Sequence, residues 1–420
     1  MWALLIFEPE WFISEHFGGG AVLKRIPTVL LIPLAVLTLQ RWRPRAVYWP
    51  FLLFVLLHLL WLPFVPNRGL SMPSFKLLFH FFCLFTATAC ILRTPAQVVP
   101  LLKMLLLGFI WYGLQGITDG RVQWQTALGN EDGFGPFMSM GIGLGYCLAR
   151  GSRAKTWRYL GYSTAVLSSI GVIASFARGA VLSAGVVGLA VWLRSPRKMA
   201  TLFSGIFALI VVLVSAEVLY PDGALWDEMS TISEGTEGGT GQDRWVLWTL
   251  AFEVFLENPV LGVGLNNFGA AAVNLIAEDQ DRARYRDPST LYNRALHNGY
   301  VQVLVEEGLV GIFLFGFMII DLLLRLRRLR RAGPAKRWRR GTGGVFDLRS
   351  ITLGLEASLI AFCFNAIFYN QVYEHHFWTL LCLAFVLELQ TNPSPRHTGQ
   401  SVEQGRAKPD SASLPMRRSL

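Results

Sequence analysis

Three side chains in this sequence are suited to holding and deprotonating a charged substrate. Arg178 opens an apolar stretch that follows an almost uncharged one, Arg244 begins the segment DRWVLWTLAFEVFLENP, and His297 stands where a long polar stretch, 221–298, gives way to apolar sequence. A guanidinium stays charged, and its planar fork fits two oxygens of a phosphate at once. A neutral imidazole can take a proton from a hydroxyl near pH 7. Each residue also has a plainer role. Arg178 could reach for lipid headgroups, Arg244 could be solvated, and His297 could be structural. His297 is the sole histidine of 221–298 and lies at its edge. Glu306 and Glu307 follow it into an apolar segment, where acids usually face a polar cavity or an ion-pair partner such as Arg178.

Other arrangements carry less. The string GVGLNNFG has its third glycine out of register for a dinucleotide site and lacks a strand–helix–strand context. Asp279 and Asp281 have an Asp-x-Asp spacing, but they lie among charges of both signs, where it arises readily by chance. Glu374 precedes His375 and His376, and adjacent residues of a helix point about 100° apart, so no shared metal is expected there. The five cysteines all lie in apolar stretches, which argues against a disulfide framework or a metal knuckle. The glycines at 262, 264, 308 and 311 read as tight turns and helix contacts.

The elements that must position these residues are membrane helices. Of 420 residues, 53% are hydrophobic and only 16% charged, against about a quarter charged in soluble domains. Apolar runs long enough for spans fall at roughly 26–40, 46–65, 74–92, 98–117, 133–149, 157–176, 177–193, 200–220, 299–324, 350–369 and 375–390. A twelfth at 2–14 is interrupted by Glu8 and Glu10. The predicted fold is an all-α polytopic bundle of 11–12 spans with one large helical loop. Residues 1–220 and 299–390 form the membrane part, with a basic loop at 325–349 and a Pro- and Ser-rich disordered tail from 391 to 420. Asp243 is expected to cap a helix in 221–298 that ends near Glu257.

The net charge of +10 is distributed unevenly. One alternating set of connections holds 26 Lys and Arg, and the other holds 7, or 9 with Lys24 and Arg25. Excess cations mark the cytoplasmic side, so 221–298 is expected to face outward. With the charges at span ends, the basic balance points to membrane lipid and not to nucleic acid. No basic stretch precedes the first apolar residues, so no cleavable signal peptide is expected.

Three blocks in this order resemble the O-antigen ligase and polymerase superfamily of bacterial glycan transferases. They are SFARGAVLSAG (175–185), DRWVLWTLAFEVFLENPVLGVGLNNF (243–268) and HNGYVQVLVEEGLVG (297–311). A fainter match, LGNEDGF (128–134), has Asp132 where the family often has a second Asn. The resemblance implies an inner-membrane enzyme with its active site facing the periplasm. Its donor would be a glycan on undecaprenyl diphosphate, and its acceptor a hydroxyl, with lipid A–core favoured. An O-antigen or exopolysaccharide polymerase and a protein O-oligosaccharyltransferase are the alternatives within that class. It further implies that Arg178 and Arg244 grip the diphosphate while His297 acts as base, without metal or cofactor. Glu306 then orients an arginine or lines the acceptor path, and Tyr300 and Gln302 hold sugar or His297. A polysaccharide transporter or flippase is the competing class, but it would place its charges at mid-membrane in two related halves.

Overall fold

The computed structural model describes residues 26–118, 131–230, 239–278, 291, 294–331, 347–370 and 372–391. The segment 2–14, Lys24, Arg25, the 128–130 part of the faint block, Asp279, Asp281, the 332–340 part of the basic run and the tail from 392 lie outside them.

Every described element is helical: α1 (Ile26–Gln40), α2 (Trp49–Trp61), α3 (Arg68–Ile91), α4 (Pro95–Thr118), α5 (Glu131–Gly151), α6 (Lys155–Ala174), α7 (Arg178–Arg194), α8 (Lys198–Leu219), α9 (Ala224–Ser230), α10 (Gly239–Glu257), α11 (Phe268–Glu278), α12 (Gly299–Arg331), α13 (Leu348–Asn365) and α14 (His375–Thr391). Each of the eleven expected spans coincides with a helix. By length and composition, five of these helices are apolar and long enough to cross a membrane: α3, α4, α8, α12 and α13. The protein is a multi-pass membrane protein.

Helix α5 is the centre of one half of the bundle and packs on α6, α7 and α13. Its close approach uses small residues. A Cβ at Gly135 would stand 2.6 Å from Ser175 Oγ and 2.9 Å from the Cβ atoms of Ala177 and Ala180. The start of α5 is thereby pressed against the start of α7. The other half of the bundle is aromatic, with Phe51 of α2 stacked on Trp378 of α14 at 4.2 Å and edge-on to Phe85 of α3.

A second, smaller core joins α10 and α11 to α12. Leu247, Leu250 and Val254 of α10 are buried with Leu275 and Ile276 of α11 and Val305 of α12. The opposite face of α10 exposes Trp245, Phe252 and Leu256, as expected of a helix lying against lipid. The start of α10 differs from the sequence expectation. The helix begins at Gly239, so Asp243 lies inside it and does not cap it. Residues 239–242 contain no proline and continue the helical turn.

Helix α12 is broken at Gly308, where φ is +66° and ψ is −165°. Only glycine takes this conformation without strain. A break frees backbone groups that an apolar environment cannot satisfy. Residues 259–264 satisfy them: Leu309 N–H donates to Pro259 O (2.8 Å), Val310 N–H to Val260 O (3.1 Å), and Gly264 N–H to Glu306 O (2.7 Å). A Cβ on Gly262 would stand 2.5 Å from the Glu306 carbonyl carbon. The glycines of the second and third sequence blocks therefore clasp one another, in keeping with their reading as tight turns and helix contacts.

At the far end, α12 runs on through Arg331, so the first part of the basic run is helix, not solvated loop. Its arginines are paired. Arg325 bonds Asp321 (2.6 Å) and Glu388, Arg328 lies 2.9 Å from Glu388, and Arg330 bonds Glu356 (2.7 Å). These acids hold the run in helical register, which a count of cations cannot reveal.

Candidate functional site

His297 sits directly before the N-cap of α12 with φ +50°. Asn298 caps the helix, its Oδ1 accepting from Tyr300 N–H and Val301 N–H, both at 3.0 Å. The imidazole Nδ1 lies 3.3 Å from Asp132 Oδ2, and the two side chains are 29% and 26% exposed. A carboxylate facing Nδ1 favours the tautomer with its proton there, leaving Nε2 with a lone pair for a substrate. Both groups are open enough to meet one.

The turn between α13 and α14 connects this pair to Arg178. Gly299 N–H donates to Ala366 O (2.7 Å), and Asn298 N–H donates to Asn370 Oδ1 (3.2 Å). From the same turn, the Tyr369 hydroxyl accepts Gly179 N–H at 3.1 Å, one residue beyond Arg178. Burial pushes the Tyr369 hydroxyl's pKa well up, and the Asp132 charge pushes it the same way. The Gly179 and Ala180 N–H groups and the Arg244 guanidinium pull it down. Tyr369 is therefore a neutral hydroxyl within the fields of both Asp132 and Arg244. Arg178, half-buried, opens α7. Arg244, also half-buried, lies in the second turn of α10. The starts of α7 and α12 are thus tied to one turn, Asp132 at the start of α5 faces His297 beside it, and Arg244 of α10 acts on Tyr369 through its charge.

Backbone strain concentrates in the same region. Among the described residues, the non-glycine positions with positive φ are Phe176 (54°), Asn266 (56°) and His297 (50°). Each falls within a different one of the three sequence blocks. Left-handed backbone in such residues persists only where surrounding contacts fix it, and it clusters at functional sites.

That geometry accompanies a family match. Residues 163–316 match the O-antigen ligase family. The chain carries an O-antigen ligase domain. The matched span is somewhat more than a third of the 420 residues and contains Arg178, Arg244, His297 and Glu306. The match implies lipid-linked glycan transfer. No curated protein matches the chain. Asp132 and Tyr369 lie outside the matched span, yet they complete the surroundings of its histidine. Asp132 was legible only as an odd residue in a faint block. Tyr369 gave no signal in sequence, because its partner Gly179 is 190 residues away.

The remaining candidates of the ligase domain sit deeper. Glu306 is 3% exposed. Its carboxylate accepts from Tyr373 Oη–H (2.5 Å) and Gln302 Nε2–H (3.3 Å), and from the backbone of Asn266 and Phe268 at the start of α11. The described contacts of Glu306 include no arginine and clamp the 264–268 turn. Gln302 is buried beside it, with its own Oε1 unpartnered among the described residues. The Tyr300 hydroxyl donates to Cys363 O at 2.8 Å, fastening α12 to α13. Glu307 Oε1 lies 3.6 Å from His58 Nε2 of α2 and accepts from Tyr373 (3.2 Å). Burial and the two carboxylates push the Tyr373 hydroxyl's pKa well up, keeping it a donor.

Among the described residues, one group of side chains could hold a cation. Glu374, His375 and His376 offer ligand atoms within 4.8 Å of one another. The expectation that the adjacent histidines diverge does not hold, because His375 is the first residue of its helix and the two ring centroids lie 4.5 Å apart. The surroundings are aromatic, with Phe137 stacked on His376 at 4.8 Å. Burial pushes the Glu374 carboxyl up to about 7, which weakens it as an anionic ligand.

Proposed function

We propose that this protein transfers a saccharide from undecaprenyl diphosphate to an acceptor hydroxyl, with lipid A–core as the favoured acceptor, at the periplasmic face of the bacterial inner membrane. The observation that carries this reading is the exposed Asp132–His297 contact, with His297, Arg178 and Arg244 all inside the matched span. The acceptor oxygen gives its proton to His297 Nε2 and attacks the anomeric carbon. The bond from that carbon to the diphosphate oxygen breaks, and undecaprenyl diphosphate leaves with the electron pair. Arg178 and Arg244 hold the diphosphate, where negative charge grows, so they favour the transition state over the bound donor. Asp132 positions the imidazole and stabilises it once protonated. Glu306, Tyr300 and Gln302 support the sugar-facing end of α12 from below.

The test is transfer by purified protein supplied with lipid-linked glycan, with chelator present and without an energy source. A new covalent product on lipid A–core is expected. Elongated lipid-linked glycan instead would identify a polymerase, and a glycosylated protein a protein transferase. Dependence on an ion gradient without a covalent product would replace the enzyme by a transporter. Loss of activity with chelator, restored by a divalent ion, would require a metal in the mechanism. Orientation is tested separately, in a background without the five native cysteines. A cysteine introduced at 280 should react with an impermeant thiol reagent from outside, and one at 335 should not.

A further inference from the structure

The end of the bundle farthest from His297 holds a different site. A cavity of 490 Å³ lies between α5, α6, α7 and α13, and five arginines line it: Arg150, Arg158, Arg194, Arg197 and Arg349. Asp347 is the one acid among its lining residues, and its Oδ1 faces Arg349 N–H at 3.4 Å as the cap of α13. Arg194 bonds Glu356 (3.2 Å), but that buried carboxylate is shared with Arg330 (2.7 Å). Arg150, Arg158, Arg197 and Arg349 have no acidic partner among the described residues. This contrasts with Arg325, Arg328 and Arg330 at the same end, each of which has one. A cavity walled by this excess of guanidinium attracts a phosphate.

A second observation specifies what the phosphate is attached to. An apolar groove of 330 Å³ between α5, α6, α7 and α8 shares Tyr146, Tyr162 and Val191 with the basic cavity. It continues toward mid-bundle past Val187, Phe207, Ala208 and Val211. Gly188 and Gly205 open onto it, and a Cβ built on either meets nothing within 4 Å. The two spaces adjoin across these shared residues, one cationic and one hydrocarbon-like, at the end of a membrane bundle. We infer that they bind one anionic phospholipid, with its phosphate among the arginines and one acyl chain in the α7–α8 groove. By the sequence's charge bias this is the cytoplasmic leaflet, where basic pockets between helices take such headgroups. A free phosphate would use only the upper space. A zwitterionic lipid would bring a second cation into an already cationic cavity.

The full chain, stripped of lipid in detergent, is tested with dioleoyl-phosphatidylglycerol, dioleoyl-phosphatidylcholine and inorganic phosphate. The readouts are retention by native mass spectrometry and the shift in melting temperature. Phosphatidylglycerol should be retained and should raise the melting temperature, with the other two much weaker. Arg150→Gln combined with Arg349→Gln should lower phosphatidylglycerol affinity by about tenfold or more, since each cation near a headgroup contributes roughly 1 kcal/mol. Gly205→Leu should lower it comparably by filling the groove. This change suits a helix, so the lipid-free melting temperature should hold or rise. Equal retention of the two lipids, or indifference to the arginine changes, would overturn the proposal. So would a phosphate shift as large as that of phosphatidylglycerol together with unchanged binding in Gly205→Leu, which would leave a soluble-anion site.

Discussion

Among the described residues, two histidine–carboxylate pairs are built from the same chemistry and set in opposite surroundings. Asp132 and His297 stand 3.3 Å apart at helix starts, each more than a quarter exposed. Glu307 and His58 stand 3.6 Å apart between helices, exposed by no more than 4%. The first pair can exchange a proton with an arriving hydroxyl. The second is sealed by Tyr373 on one side and by the Phe54 ring, 4.7 Å from His58, on the other. Residue type and spacing therefore decide little about catalysis here. What decides is whether a substrate can reach the imidazole, and that depends on its standing before a helix and not within one.

The largest effect should come from removing the exposed imidazole. His297→Ala should lower transfer by about 10²-fold or more, the usual contribution of a general base, while binding of a labelled lipid diphosphate stays near wild type. An equal loss in binding and turnover would make His297 a diphosphate ligand. A transfer rate near wild type would remove its role altogether. Arg244→Lys and Arg178→Lys come next. Lysine keeps the charge but loses the fork, so transfer should fall sharply at normal protein level, and donor binding should weaken as well.

Asp132→Asn sharpens the comparison from the acid's side. The contact survives in shape, but the imidazolium formed during transfer loses its counter-charge. A fall of roughly tenfold in kcat with little change in KM is expected of a positioning residue, smaller than the loss from His297→Ala. Asp132→Glu should recover part of the loss. The buried pair should behave oppositely. His58→Ala should lower the melting temperature, at a cost of about 2–5 kcal/mol for the cavity left by a buried ring. Turnover per folded molecule should stay close to wild type. A turnover defect as large as that of Asp132→Asn would mean that the two pairs are not separate in function.

The sequence made one half of this comparison visible. The edges of apolar runs located Arg178 and His297, because cations and histidines are conspicuous where a span begins, whereas Arg244 stood out only by the resemblance of its block. They also located the glycines that let 259–264 clasp the break at Gly308. The partners were not visible. Asp132 differs from a common motif by one residue, and nothing local says that it faces His297, 165 positions on. Glu306 was expected to face a cavity or an arginine because a carboxylate in a span needs a partner. Besides Gln302 one turn back, the partners it found are a tyrosine from another helix end and two backbone amides of a turn, donors that carry no signature in composition. The paired arginines of α12 were hidden for the same reason, since Glu356 and Glu388 lie on separate helices.

The smallest effect is expected at Tyr369, which touches the exposed pair only through electrostatics and the backbone of α7. Tyr369→Phe keeps the ring but leaves Gly179 N–H without its acceptor, at a cost of about 1–2 kcal/mol in stability. Transfer should fall only a few-fold, because Arg178 is held less firmly but remains present. The pH dependence makes this test specific. Burial and the Asp132 charge raise the hydroxyl's pKa, so the phenol keeps its proton across the working range and contributes no ionisation to catalysis. The pH–rate profile of Tyr369→Phe should therefore keep the wild-type shape at a lower height. If Tyr369→Phe removed an alkaline limb, the phenol itself would be the titrating group. Proton transfer would then have to be reassigned from the Asp132–His297 pair to the turn that holds it.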